Sequence, residues 1–353
     1  MAEAKDPAAP VRRRHTTLIL GAAGFAMAGI ARAQAPWPNR PVRVIVGFPP
    51  GGSLDVMTRV VAERVQGRLG QPFVVETRTG ASGSIGAEAL ARAAPDGYTI
   101  GTVGMPTVLI NPMLVSGLPF DPERDFAWIA QMWEFPNVAV VPAAHVPART
   151  LMEFVDWAKR RPGGVSYGSA GVGTSIHLSG AYLAARAGFA ATHVPFRGAA
   201  QTIPAMLAGD VHFAVDNLAS YVPVIREGRM RALAIASAER WPTLPEVPTM
   251  AEAGMDGFEV TSWHLWAAPA GTPRPIIDRL VGTIRDLYAD PSLQQRALDM
   301  GAKLLGSTPR RSSPRHGHSH AAVAMNVDRR VGARLRPAAP TRPRRRGPGD
   351  RPT

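Results

Sequence analysis

The sequence predicts an α/β fold built as two layered lobes, and three observations predict it. A β-branched run, Val42 to Val46, stops at Gly47 and gives way to a glycine-rich loop and a helical repeat of apolar residues. The same order returns where Val165 to Tyr167 enters a second glycine-rich loop and a second helix. Between them, Val138 to Val141 is apolar on both faces and reads as a crossover into a second lobe, with Phe258 to Ala268 as the path back.

Taken in order, the chain opens with Arg12-Arg13-Arg14, an uncharged run from Thr16 to Ile30, and Ala31-Arg32-Ala33-Gln34-Ala35. That is the pattern of a secretory signal, residues 1–35. Its apolar core is too short to span a bilayer comfortably, and Ala33-x-Ala35 offers a small-residue cleavage site. The paired arginines leave a twin-arginine route open beside the general one. With no cysteine in the chain, disulfides, thiolate metal sites and cysteine nucleophiles are excluded.

After the strand Val42 to Val46, the residues Val56, Met57, Val60, Val61, Val65 and Leu69 keep helical spacing, with Ser53 or Asp55 placed to cap and Gly70 to stop. Pro72 to Thr77 reads as a second strand. Thr79 to Gly83 is a further small-residue loop before a helix from Ser84 to Ala93, with Ile85, Ala89 and Leu90 available for packing. The turn Pro95-Asp96-Gly97 leads into the strand Tyr98 to Val103 and completes a βαβ rhythm. Met105 to Leu114 has no clear period. Phe120 to Phe126 reads as a surface loop and Trp128 to Trp133 as a strand.

The second lobe, 138–257, starts with the crossover and a helix from Leu151 to Arg160, whose basic end precedes Gly163-Gly164. Its strands are read at Val165 to Tyr167, His193 to Phe196, Val211 to Val215 and Arg231 to Ala236. Its helices are read from Thr174 through Leu183, from Thr202 to Leu207 and from Tyr221 to Arg226. The return part, 258–306, carries the aromatic extended segment, a helix capped by Thr272-Pro273 with Ile276, Ile277, Leu280, Ile284 and Leu287 on one face, and a last helix from Pro291 to Met300. The first lobe is thus 36–137 plus 258–306.

The net charge of +13 suggests a nucleic-acid binder until its location is considered. Twelve arginines against two aspartates lie from Ser307 onward, so 307–353 holds +10 and the rest only +3. That basic, proline-rich stretch has almost no large apolar residues and is read as a disordered tail. Its Arg344-Arg345-Arg346 run would bind acidic surfaces without specificity, and His316, His318 and His320 lack the scaffold that a metal site needs.

The two glycine loops carry the chemistry. Gly47 to Asp55 has neither the Lys-Ser/Thr ending of a nucleotide phosphate loop nor the Gly-x-Gly-x-x-Gly spacing of a dinucleotide fold, so a carboxylate is the better guest for its N–H groups and helix start. Gly168 to Leu178 repeats the logic, with Ser169, Thr174 and Ser175 adding hydroxyl donors. Neither loop is the Gly-x-Ser-x-Gly of a serine hydrolase. His177 is read as a capping or packing residue, because no acid is placed beside it by sequence.

From Trp37 to Pro309 the chain resembles the Bug family, the TctC-type periplasmic solute receptors of tripartite tricarboxylate transporters. The resemblance rests on Trp37-Pro38-Asn39-Arg40-Pro41, Phe48-Pro49-Pro50-Gly51-Gly52-Ser53-x-Asp55, Gly70-Gln71-Pro72 and Ala93-Ala94-Pro95-Asp96-Gly97-Tyr98-Thr99. It continues with Ser169-Ala170-Gly171-x-Gly173-Thr174-Ser175-x-His177-Leu178, Val194-Pro195-Phe196-x-Gly198, Asp216-Asn217 and Leu244-Pro245-x-Val247-Pro248-Thr249-x-Ala251-Glu252-Ala253-Gly254. It implies a two-lobe periplasmic binding protein of type II-like design, each lobe a βα sandwich, with the ligand cleft between and a hinge of crossover strands. It implies a small organic carboxylate as ligand and the membrane components of a transporter, or a sensor, as partner. A monomer in the periplasm is expected, with no enzymatic activity, cofactor, metal or specific nucleic acid.

The ligand-binding set that it implies comprises Phe48, Pro49, Gly51, Gly52, Ser53 and Asp55 from the first loop, with Ser82 and Thr107 beside them. From the second lobe it takes Ser169, Ala170, Gly171, Gly173, Thr174, Ser175, His177 and Asp216. Asp55 is expected to brace its loop rather than touch the anion, since like charges repel.

Leu54 stands where the family usually has threonine, Thr77 and Thr79 stand around Arg78 where Asn and Pro are usual, and Ala214-Val215 where Met-Phe is frequent. After Thr308-Pro309 the family's acidic helix is replaced by Arg310-Arg311-Ser312-Ser313-Pro314-Arg315. One coding of those six residues, CGG AGG AGT TCG CCG CGN, contains the family's Glu-Glu-Phe-Ala-Ala out of phase, so a reading-frame slip is expected there. Two readings of other classes stay open: a small-molecule hydrolase or isomerase using His177 and Asp216, and a nucleic-acid or acidic-surface binder acting through the tail.

Overall fold

The computed structural model describes residues 36–307. The leader-like segment 1–35 and the basic stretch 308–353, with the proposed frame slip and His316, His318 and His320, lie outside the described residues. The elements run β1 (Val42–Val46), α1 (Ser53–Leu69), β2 (Phe73–Thr77), α2 (Ser84–Ala91), β3 (Thr99–Gly104), α3 (Asn111–Leu114), β4 (Phe126–Pro142) and α4 (Leu151–Arg160). They continue with β5 (Val165–Ser169), α5 (Ser175–Ala187), β6 (Ala191–Pro195), α6 (Ala199–Ala208), β7 (Ala214–Asn217), α7 (Leu218–Arg226), β8 (Met230–Ile235), β9 (Thr261–Pro269), α8 (Arg274–Tyr288), α9 (Pro291–Asp299) and β10 (Lys303–Ser307).

The first half of the fold is a mixed sheet in the order β10-β4-β9-β3-β1-β2. β1 pairs in parallel with β2 and β3, and both of its faces are covered, which is why it is apolar except for Arg43. Val42, Val44 and Val46 point into one core with Met57, Val61 and Val65 of α1 and Leu280 and Ile284 of α8. Ile45 points the other way, toward Leu90 of α2 and Leu265 of β9. Fully burying each such side chain contributes roughly 1.5–3 kcal/mol.

β4 joins this half to the second. The separate strand and crossover expected from Trp128 to Trp133 and Val138 to Val141 form one strand of 17 residues. Its first part pairs with β9 and β10. From Asn137 onward it pairs instead with β7 and β8. Pro136 does not break it, because pairing on either side of Pro136 holds the chain extended. Around this second sheet, α4 packs Phe154 and Val155 against Phe213 and Leu233, and α7 packs Tyr221 against Val138 and Val140. The parallel pair β5 and β6 attaches through Gly168 N–H to the Phe213 carbonyl at 3.1 Å.

Three local expectations are corrected. The N-cap of α1 is Gly52, not Ser53 or Asp55. Ile85 is exposed, because Gly86, Ala87 and Leu90 supply the packed face of α2. The N-cap of α8 is Pro273, while Thr272 turns its hydroxyl back to the Pro269 carbonyl at 2.7 Å.

Candidate functional site

A cavity of about 390 Å³ lies where the loop after β1 meets the loops after β5, β6 and β7. Its lining includes Gly52, Thr174, Gly198 and Asn217, the N-caps of α1, α5, α6 and α7. Four helices therefore begin on one cavity. In α1, α6 and α7 the cap makes no side-chain hydrogen bond, which leaves first-turn N–H groups and the positive end of each helix free of a side-chain cap. This arrangement offers an anion many weak donors instead of one fixed cation. Arg197 adds an exposed guanidinium at the lining, and no ion pair to it occurs among the described residues.

The first loop keeps its shape through backbone approach and one buried acid. A Cβ on Gly86 would stand 2.7 Å from Gly47 Cα, so this pair of glycines is what lets α2 sit against the loop. Asp55, 3% exposed, accepts the Gly51 N–H at 3.0 Å and the Arg59 guanidinium at 3.0 Å. These bonds tie the loop to the first turn of α1. Asp55→Ala should lower stability by about 1–3 kcal/mol, the cost of removing a charge-assisted acceptor from a buried donor. Urea denaturation measures this, and an unchanged midpoint would show that the loop needs no brace.

The second loop is supported from beneath by a histidine pair. The rings of His177 and His193 lie 4.1 Å apart, with Tyr167 against both. His193 Nε2 meets Ser169 Oγ at 2.6 Å, Ser169 Oγ accepts the Gly171 N–H at 3.1 Å, and His177 Nδ1 accepts the Gly173 N–H at 3.3 Å. Burial pushes both imidazoles toward the neutral form, His193 down to about 4. Neutral rings suit this role, since His177 must accept a hydrogen bond.

The loops of the two halves also touch each other. Ser82 Oγ donates to the Val172 carbonyl, and Asn217 Nδ2 donates to Ser53 Oγ at 3.1 Å. At the hinge, Ser175 and Ser262 hydroxyls meet at 2.8 Å, Ser262 Oγ donates to Asn137 Oδ1, and Asn137 Nδ2 donates to Ser179 Oγ. This buried polar chain ties α5 to β4 and β9.

Of the expected ligand residues, Phe48, Pro49, Gly52, Ser53, Ala170, Thr174, Ser175 and Asp216 line the cavity. Gly51, Asp55, Ser82, Thr107, Ser169, Gly171, Gly173 and His177 are not among its lining residues. The lining residues not foreseen include Thr77, Thr79, Arg197, Gln201, Ser262 and His264. Arg197 is the variable position inside the motif Val194-Pro195-Phe196-x-Gly198, which was the one available signal for it. A larger groove, about 830 Å³, is lined by Glu134, Glu239, Arg240, Glu259 and Lys303 among others. The smaller cavity, on which the four helices begin, is the candidate site.

Residues 57–305 match the model of the tripartite tricarboxylate transporter family receptor, TctC. The chain belongs to this family. The TctC assignment agrees with what the sequence motifs implied. Among its relatives is the UPF0065 protein in the tcbD-tcbE intergenic region of Pseudomonas sp. strain P51, 38% identical over 81% of this chain and 87% of its own length. An R. palustris protein solved with adipate superposes with a TM-score of 0.80 at 32% identity, covering 84% of this chain and 98% of that one. MatC from Rhodopseudomonas palustris, solved with bound malate, does so with a TM-score of 0.72 at 31% identity, covering 83% and 98%. The two-lobe binding-protein fold of the TctC receptors is thus the fold of this chain.

Proposed function

We propose that this TctC-family chain is a periplasmic receptor that closes two lobes, 36–137 with 258–306 and 138–257, around a small organic carboxylate. The convergence of four helix N-termini on one cavity carries the reading. Several charge-assisted hydrogen bonds of about 1.5–3 kcal/mol each support micromolar capture without a buried cation. The adipate and malate of its structural neighbours are acids of a size that such a cavity accommodates. Binding couples to closure, because the anchoring groups come from both lobes, and the closed form is what the membrane components of a tripartite transporter would read. The protein acts without turning over its ligand, as a monomer exported by its N-terminal signal. No helix among the described residues is long and apolar enough to cross a membrane.

A hydrolase or isomerase using His177 with Asp216 is not favoured. Asp216 lines the cavity, whereas His177 lies under the second loop and accepts a backbone N–H.

The test is a thermal-shift and calorimetric screen against small carboxylic acids and their uncharged amides, with each acid recovered and checked for conversion. Acids should raise the melting midpoint and amides should not. Gly52→Leu should remove the shift and keep the fold, because a Cβ at Gly52 meets only the Pro49 carbonyl at an ordinary 3.6 Å. A cooperatively folded protein indifferent to every acid would sink the reading.

A further inference from the structure

Asp216 is the one carboxylate that lines the candidate cavity. It sits at the end of β7, 2% exposed, and both of its oxygens are taken by neutral donors: the Asn217 N–H at 2.6 Å and the Tyr221 hydroxyl at 3.1 Å. No lysine, arginine or histidine pairs with it among the described residues. The charged groups around it are otherwise engaged or distant in role. Asp55 of α1 is committed to Gly51 and Arg59, Arg197 before α6 is exposed at the lining, and His264 of β9 is a buried neutral imidazole. His177 of α5 and His193 of β6 face each other under the second loop. Tyr221 of α7 stays protonated, and β4 presents only Val138 opposite Asp216 in the ladder.

An anionic ligand in this cavity therefore meets a buried, unpaired carboxylate. Two like charges in a low-dielectric cleft repel each other, and a proton shared between them turns repulsion into an O–H donor facing an acceptor. We propose that capture of the ligand carboxylate takes up one proton from solvent, carried by Asp216, which then donates its O–H to the bound anion. This rests on the receptor reading above and makes Asp216 a determinant of both specificity and pH response.

Burial already holds the Asp216 carboxyl up at about 6 in the free protein, and the ligand's charge raises it further. By linkage, affinity is full below that value and falls by up to tenfold per pH unit above it, until the bound form also ionises. The experiment is isothermal titration of the full chain with adipate, malate, benzoate and acetate from about pH 6 to about pH 8.5, a range in which these acids stay ionised. It is repeated in buffers of different ionisation enthalpy to count protons. Dissociation constants rising towards 100-fold across about two units, with uptake approaching one proton, are expected. Asp216→Asn should lose both the slope and the proton uptake; if that variant does not fold, the proton count of the unaltered chain decides. Binding with a flat pH profile, or with proton release, overturns this inference and leaves the receptor reading standing. Failure of every acid to bind near pH 6 overturns both.

Discussion

Gly171→Val should weaken carboxylate capture by at least about 100-fold while leaving both lobes folded, and it should hold the lobes apart. Gly171 adopts φ +117°, a region that L side chains rarely enter, so any substitution strains the second loop. A Cβ there would also stand 3.2 Å from Ser82 Oγ, on the facing loop, and valine's two methyl groups extend further into the same space. The contact at risk is the one that fastens the loops, Ser82 Oγ to the Val172 carbonyl. The damage also spreads within the second lobe, because the Gly171 N–H donates to Ser169 Oγ and its carbonyl accepts from Thr174 Oγ1 at 2.8 Å. Thr174 in turn caps α5, whose N-terminus is one of the four that begin on the candidate cavity. Calorimetry measures the affinity, small-angle scattering the opening, and circular dichroism the fold. A variant that binds as the unaltered chain does would show that the loop's left-handed turn is not needed for capture.

The β1–loop–α1 unit was legible because three signals agree locally: alternation with β-branched residues, a glycine pair and a helical apolar repeat. What failed there was the cap. Ser53 and Asp55 are good capping residues by type, but Asp55 turns back to Gly51 and leaves the helix start to a bare glycine, open to a ligand. β4 was read as two pieces because Pro136 forbids one ladder bond, and only the partners on either side, far away in sequence, show that the strand continues. β10 was not foreseen, since Lys303 to Ser307 is short, contains a glycine and becomes a strand only by pairing with β4. Ser262 and His264 carry no local motif: they reach the cavity because β9 crosses the hinge. His177 lies under the second loop and accepts the Gly173 N–H, and its partner His193 could not be inferred, because 16 positions and a parallel strand pair separate the two rings.

Acidification should destabilise this protein through His264, and the effect should vanish in a variant that cannot titrate there. His264 is 5% exposed between the rings of Trp133 and Phe135, and burial lowers its imidazole to about 3 against an ordinary 6.5. The folded state thus refuses a proton that the unfolded chain accepts. Stability is full above 6.5 and falls as pH drops towards 3, at about 1.4 kcal/mol per unit for this one group. His193, held down to about 4, adds in the same direction. Asp216 opposes them: its carboxyl is raised in the folded state, so between about 4 and 6 the folded chain binds the extra proton and gains stability as pH falls. The unaltered protein's own curve is therefore a sum of opposite slopes. The difference between it and His264→Leu isolates the one group, because any fixed packing cost cancels. That difference should shift by ~2 kcal/mol in the variant's favour between about pH 7 and about pH 5, read from urea denaturation at each pH. Parallel curves would mean that His264 takes up its proton in the folded state, which requires an acceptor or water at its unpartnered Nδ1.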